Sequence, residues 1–480
     1  VSVRLRPLLA SAGPLLSGTA ERALAPGDDG PAITGVTHDS RRVRAGSLFC
    51  CVHGATTDGH RHAADAVRAG AVALLCEHAV SPGVPQVRVA DTRRAMAPLA
   101  AAFHGHPSSR LSVIGVTGTN GKTTTVRLVQ HLVESHGRRA AMIGTLTGAR
   151  TTPEATDLQE QLAGHLAAGV GTVAMEVSSH ALALHRVDST RFAAVAFTNL
   201  SRDHLDFHGT MEAYFKAKAS LFTSAFAPVA VIDTDSPHGR LLASTTDVPD
   251  VVRTGVSTVE VQSLAADGAR YRWRGHDVFV PLPGRFNVAN ALVASELALA
   301  LGIPVESVVS SLATVPPVPG RFQPVAVDAP WSVIVDYAHT PDGLENVLEA
   351  AREIAREGRV LVVFGCGGDR DATKRPFMGR CARERADVVV VTSDNPRSED
   401  PARIADEIVG GMPRRPDAVE LDRRTAIRTA LSMARPGDVV VLAGKGHETT
   451  QTIGTTVLPF DDAVVAREEA ASLSAAEGQR

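Results

Sequence analysis

The sequence predicts an α/β protein of three domains built on largely parallel sheets. Three observations lead there. At 480 residues the chain is too long for one ordinary domain. Short Val-rich runs alternate with helical patterns, the signature of strands covered on both faces. Two breaks rich in Pro and Gly divide the chain: Phe103-His104-Gly105-His106-Pro107-Ser108-Ser109 and Val315-Pro316-Pro317-Val318-Pro319-Gly320. The predicted domains are therefore 1–106, 107–318 and 319–480.

Composition bounds the function before any motif does. Apolar residues make up 44% and charged residues 21%, with a net charge of −3. That is a globular chain, and a whole-protein basic field for non-specific nucleic-acid binding is ruled out, though a local patch is not. Aromatic residues at 4% exclude a base-stacking surface. At the start, Arg4 and Arg6 precede a short apolar run that faintly resembles a secretion signal, but Pro7 and Pro14 interrupt it. No run reaches 18 apolar residues, so no membrane span is expected. The five cysteines include no C-x-x-C pair and read as small core hydrophobes. A cytoplasmic protein is expected.

In the central domain the pattern predicts strands at 111–116, 171–175 and 192–197, with a helix over 123–134. In the third domain it predicts strands at 332–337, Val360–Phe364, 387–392 and 438–442, with a helix over Pro341–Ala355. Ligands of such sheets gather beyond the carboxyl ends of the strands. There, after the first central strand, lies Thr117-Gly118-Thr119-Asn120-Gly121-Lys122-Thr123-Thr124. Gly118 and Gly121 let backbone N–H groups surround phosphate oxygens, Lys122 neutralises them, and the Thr123 hydroxyl suits Mg²⁺. The loop is a variant, because Val116 stands where the usual form has its first Gly. It still points to ATP or a near relative.

Glu176 and the segment from Asn199 to His204 follow the next strands. A carboxylate and an imidazole there suit a second Mg²⁺ between ATP and an acceptor. Asp203-His204-Leu205-Asp206-Phe207-His208 also suits zinc, although cysteine or further histidine partners are missing. Gly365-Cys366-Gly367 after a strand suggests a dinucleotide site, but Arg370 stands where the third Gly is required.

Taken in order, Gly118–Thr124, Glu176-Val177-Ser178-Ser179-His180, 203–208 and Gly284-Arg285-Phe286-Asn287-Val288-Ala289-Asn290 resemble the Mur ligases, ATP-dependent amino-acid-adding enzymes of peptidoglycan synthesis. The likeness continues in Thr37-His38-Asp39-Ser40-Arg41-Arg42, in Asp336-Tyr337-Ala338-His339 and Lys374-Arg375-Pro376, and in Gly444-Lys445-Gly446-His447-Glu448. It implies a smaller N-terminal α/β domain for a UDP-linked substrate, a central ATPase-type domain with a parallel or mixed sheet, and a Rossmann-like third domain. The implied reaction is phosphorylation of the D-Glu γ-carboxylate of UDP-N-acetylmuramoyl-L-Ala-D-Glu by ATP, then attack of an amine on the acyl phosphate.

The resemblance also implies residue roles. Thr123, Glu176 and His204 lie near two Mg²⁺ ions, and Lys122 and Lys374 meet phosphoryl oxygens. Asn287, Asp336 and His339 line the nucleotide. Lys218 takes the position of a carbamylated lysine, whose CO₂-derived anion ligates metal. His38, Ser40, Ala55, Thr56 and Thr57 fall at the uridine end, and Arg150, Thr151, Thr152, Ser178 and Arg186 along the pyrophosphate, sugar and dipeptide. Asp394-Asn395-Pro396-Arg397 alone reads as a turn. In the family it marks members that add meso-diaminopimelate, whose extra carboxylate suits the Arg397 fork. Arg370, Gly444 and Glu448 complete that pocket. Leu184, Arg150 and the Thr450-Gln451 pair depart from common family residues. A monomer is expected. Alternatives are a relative adding L-lysine or another amino acid, a folylpolyglutamate-type ligase, which lacks the T-x-D-S-R segment, and an inactive nucleotide-binding regulator, against which the intact lysines argue.

Overall fold

The computed structural model describes residues 2–54, 57–80 and 83–477. Its central sheet has six strands in the order Asp250–Thr254, Val229–Asp233, Ala194–Phe197, Ser112–Thr117, Thr172–Glu176 and Ala140–Ile143. All are parallel, so the mixed alternative is set aside. The antiparallel strands of this region, Glu260–Ala265, Gly268–Trp273 and His276–Val280, form a sheet of their own. Tight hairpins need no crossover helix, which lets them stand apart. They send Tyr271, Trp273 and Val278 into the core that the helices Lys122–Ser135 and Arg285–Ala300 share.

Register decides where the chemistry lies. Phe197 pairs with Thr117, and Val116 with Glu176. The phosphate loop and the segment after Phe197 therefore leave the sheet at one edge, and Glu176 ends its strand there instead of following it.

A second sheet runs in the order Gln323–Val325, Ser332–Asp336, Val439–Ala443, Val360–Phe364, Val388–Val391 and Ala418–Val419. Only its first strand is antiparallel. Asp336 pairs with Ala443 and Phe364 with Val391, so four functional loops emerge together. The helix Pro341–Ala355 starts where expected because Thr340 Oγ1 accepts from the Gly343 N–H at 3.1 Å and Pro341 occupies the first turn. In the N-terminal region Gly35–Thr37, Ser47–Cys50, Ala71–Cys76 and Gln86–Arg88 form a four-stranded parallel sheet.

Core membership changes at the two sequence breaks. Phe103 packs with the N-terminal core and Leu111 with one face of the central sheet. Val318 belongs to the central core and Phe322 to the third. The cysteines are free, and burial pushes the Cys366 thiol up to about 12, so it behaves as a core residue. Among the described residues no helix is long and apolar enough to cross a membrane.

Candidate active site

The phosphate loop is held open by its neighbours. Gly121 has φ +84°, and a Cβ there would lie 2.2 Å from Asn290 Oδ1, so only glycine fits. Thr119 N–H donates to Asn199 O (2.9 Å), and Asn120 N–H to Asn199 Oδ1 (2.9 Å). Thr198 Oγ1 donates to Asn120 O at 2.6 Å. Thr123 and Thr124 are buried in the first turn of the helix that follows.

Two lysines share one acceptor. Lys122 Nζ donates to the carbonyls of Gly118 (2.9 Å) and Thr119 (2.8 Å). Lys218 Nζ, on the helix Met211–Ala219, donates to the same Gly118 carbonyl at 2.7 Å, although the two residues lie 100 positions apart. Lys218 is 1% exposed. Burial, helped by the charge of Lys122, drives its ammonium well below the usual lysine range. A neutral amine is the form that reacts with CO₂. Tyr214 lies beneath it, ring centroid 4.6 Å from Nζ, and its hydroxyl meets Thr119 Oγ1 at 3.1 Å.

Glu176 is buried and accepts from Thr145 N–H at 2.8 Å. His204 adopts φ +52° and lies edge-on to His180, ring centroids 4.7 Å apart. Desolvation lowers its pKa and so favours the neutral, metal-ligating ring. The Thr123 hydroxyl and Glu176 carboxylate are hard oxygen donors, and the donor set fits Mg²⁺. Asp203, His204, Asp206 and His208 do not bring ligand atoms together as zinc requires. Among the described residues only His53, Asp58 and His60 do so. There both His60 ring nitrogens are engaged: Nδ1 lies 2.7 Å from Asp58 Oδ1, and Nε2 accepts from Glu77 N–H at 3.1 Å. That cluster is a structural pin.

Thr152 is buried and links three elements: its hydroxyl donates to Glu176 O (2.9 Å) and accepts from Ser178 N–H (3.0 Å). Thr151 Oγ1 meets Thr145 Oγ1 at 3.2 Å. Arg150 and Arg186 both reach Glu154, at 2.6 and 2.8 Å. His38 Nδ1 contacts Thr156 Oγ1 at 2.7 Å, which turns its ring toward the central domain. Ser40 opens the short turn Ser40–Arg42, and Thr57 Oγ1 meets His62 Nε2 at 3.1 Å. Ala55 and Thr56 lie outside the described residues.

From the third domain, Asp336 accepts from Phe322 N–H (2.6 Å) and Ala338 N–H (2.7 Å), and burial raises its carboxyl to about 6. Lys374 Nζ donates to His339 O at 2.6 Å, bringing those two residues together. Asn287 is buried and its amide is engaged: it donates to Pro283 O (2.8 Å), and its Oδ1 accepts from Asn290 Nδ2 (3.2 Å). It fixes the helix start and does not reach outward.

Asn395 Nδ2 donates to Glu448 Oε2 at 2.7 Å, and Gly444, with φ +111°, passes so close to Asp394 that a Cβ would lie 2.4 Å from its Oδ2. Pro396 is buried behind them. Arg397 Nη1 donates to Gly368 O at 2.6 Å. Arg397 and Arg370 both border Gly367: from a Cβ placed there, Arg397 Nη1 is 3.0 Å away and Arg370 Cγ 3.7 Å. Neither guanidinium forms an ion pair with a carboxylate of the chain among the described residues.

Sequence reasoning missed Arg321, whose guanidinium lies 4.9 Å over the Tyr337 ring and whose buried Nε has no partner among the described residues. Its charge reaches Lys122 across the domain boundary. The Gly320-Arg321 pair at the end of the Pro-rich break was the available signal. Asn290, Tyr214 and Glu154 were missed as well, each having partners too distant in sequence to suggest them.

Residues 32–104, 116–298 and 320–446 match, in turn, the models of the Mur ligase family catalytic domain, the Mur ligase middle domain and the Mur ligase glutamate ligase domain. The chain is 44% identical to the UDP-N-acetylmuramoyl-L-alanyl-D-glutamate--2,6-diaminopimelate ligase of Geobacillus kaustophilus (strain HTA426), over 91% of this chain and 94% of that protein. It is 43% identical to the protein of that name from Synechocystis sp. (strain ATCC 27184 / PCC 6803 / Kazusa), over 97% and 98%. A solved structure of a ligase of that name superposes with TM-score 0.66 at 33% identity, covering 92% of this chain and 95% of the other. Likeness along nearly the whole length, with the phosphate loop and the third-domain loops each at the carboxyl edge of its sheet, leaves one conclusion: the chain belongs to the Mur ligase family.

Proposed function

We propose that this protein is an ATP-dependent ligase that joins meso-diaminopimelate to the D-Glu γ-carboxylate of UDP-N-acetylmuramoyl-L-Ala-D-Glu, in peptidoglycan synthesis. The observation that carries the choice of amino acid is the pair Arg370 and Arg397 beside Gly367, two arginines with no carboxylate partner among the described residues. They suit an amino acid with two carboxylates better than L-lysine, which has one. Glu448, which accepts from Asn395 Nδ2 at 2.7 Å, suits an ammonium group of the amino acid. Relatives at 42–44% identity carry the name of this activity.

Three domains, 1–106, 107–318 and 319–480, divide the ligands. The first holds uridine through His38, Ser40 and Thr57. The second holds ATP on 118–124, with Arg150, Thr151, Thr152, Ser178 and Arg186 along the rest of the acceptor. The third supplies the amino acid, together with Lys374, His339 and Asp336 beside the nucleotide. Lys122 and Lys374 neutralise the phosphoryl oxygens as they transfer to the carboxylate. The incoming amine then attacks the carbonyl carbon of the acyl phosphate; the C–N bond forms, the C–O bond to phosphate breaks, and inorganic phosphate leaves with the amine proton. Thr123, Glu176, His204 and the carbamate of Lys218 would hold Mg²⁺, which would offset phosphate charge. Because residues of two domains face one ATP, closure precedes chemistry. The protein acts as a monomer in the cytoplasm.

The test is direct. With ATP, Mg²⁺ and the UDP-linked dipeptide, the protein should release phosphate when meso-diaminopimelate is added and much less with L-lysine. Equal rates with L-lysine would overturn the amino-acid assignment, and no release with either would overturn the ligase reading.

A further inference from the structure

Glu154 is the meeting point of three arginines. Its side chain is 5% exposed and accepts from Arg150 at 2.6 Å, Arg186 at 2.8 Å and Arg93 at 3.2 Å. Arg93 comes from the helix Thr92–Phe103 of the N-terminal domain. Its other nitrogens, Nε and Nη2, donate to the carbonyl of His53 at 3.3 and 3.0 Å, on the loop that leads to Thr57. Three guanidinium groups thus face one carboxylate, and the nearby Asp157 and Glu160 are already taken by Arg42. Arg186 also carries a buried Nε with no partner among the described residues. Positive charge and an unfilled donor together call for an oxyanion.

We propose that Glu154 and Arg93 are positioning residues for the acceptor substrate. Glu154 gathers the three guanidinium groups toward an oxyanion of that substrate, and Arg93 ties them to the uridine loop. This rests on the reading that the acceptor lies between the first two domains. The anion is either the pyrophosphate or a peptide carboxylate, and both bind guanidinium forks in the same way.

Glu154→Gln keeps the shape and removes the charge. We expect KM for the UDP-linked dipeptide to rise about tenfold, the scale of one charged hydrogen bond, while kcat and the KM values for ATP and diaminopimelate stay within about twofold. Glu154→Asp should restore part of the loss. Arg93→Lys, which keeps charge but loses the fork, should raise the same KM alone and serves if Glu154→Gln does not fold. Calorimetry with UDP alone separates the two anions: weakened UDP binding assigns the pyrophosphate, and unchanged UDP binding with weakened dipeptide binding assigns the peptide carboxylate. An unchanged acceptor KM in the variants overturns the inference, as does an equal rise in all three KM values with a lowered Tm. Absence of turnover in the parent protein would instead overturn the acceptor reading itself.

Discussion

At the edge of the central sheet, Lys122 and Lys218 donate to backbone carbonyls, and neither has a carboxylate within ion-pair distance among the described residues. At the edge of the third sheet the buried cations are paired. Arg423 and Asp462, both fully buried, form a bidentate pair at 2.7–2.8 Å. Arg375 joins Glu399 and Glu407, and Lys445 lies 3.4 Å from Glu448. The difference separates two tasks. The first edge leaves Lys122 without a carboxylate partner, for anions that arrive with the substrates, and keeps Lys218 as a buried amine open to reaction. The second uses its charge to hold backbone: Arg423 also donates to Ser393 O (3.3 Å) and Ala443 O (3.0 Å), the positions just before Asp394 and Gly444. Ion pairs of this kind contribute geometry more than net stability. Arg370, Arg397 and Lys374, none of them buried, have no carboxylate partner there among the described residues, and the two arginines are the groups assigned to a substrate carboxylate.

That contrast breaks first at Lys218. Lys218→Ala should lower phosphate release by about 10²–10³-fold, the scale for removing one preorganised group from a phosphoryl or acyl transfer site. Added formate or acetate should restore part of it, and full activity without rescue would show that this lysine is only structural. The next effect is smaller and selective. Arg397→Ala should raise KM for meso-diaminopimelate about 10–100-fold, as expected for a lost charged hydrogen bond, and leave turnover with L-lysine nearly as it was. Equal losses with both amines would mean that Arg397 merely supports the Gly368 loop.

The smallest effect tests the frame itself. Hydrogen bonding from Arg375 and from the Asp369 N–H holds the Glu399 carboxyl down to about 2. Its contribution to stability is therefore complete above the ordinary glutamate value near 4.5 and is lost as pH falls toward about 2. Glu399→Gln should lower Tm by a constant amount at pH 5–8, and the gap from the parent should shrink below about 4.5. A gap independent of pH would show that charge plays no part.

Much of this was legible in the residues because backbone geometry leaves local marks. Gly121 and Lys122 announce a phosphate loop, and Val360–Phe364 announces a strand buried on both faces. Thr340-Pro341 fixes a helix start to the residue. What was not legible is pairing across long separations. Nothing near Glu154 names Arg93, 61 residues away, and nothing near Lys218 names the Gly118 carbonyl. Asn287 shows the converse: its motif was read correctly as a motif, yet its amide turns inward, because a side chain's partner depends on packing that no spacing encodes.

The change of core at the two breaks has a consequence for how the chain assembles during synthesis. The N-terminal core draws on residues from Leu5 to Phe103, with Ala155 as its one later member, so it is nearly complete when little of the central sheet has emerged. The central sheet is different. One outer strand is Asp250–Thr254, and its core includes Leu292 and Leu312, so its last parallel pairing must wait for about 150 further residues and its core for about two hundred. Long-range parallel pairing is slow and leaves strand edges open meanwhile. The nascent protein therefore carries a finished first domain ahead of an unfinished second, and the second is where a holding chaperone has most to do.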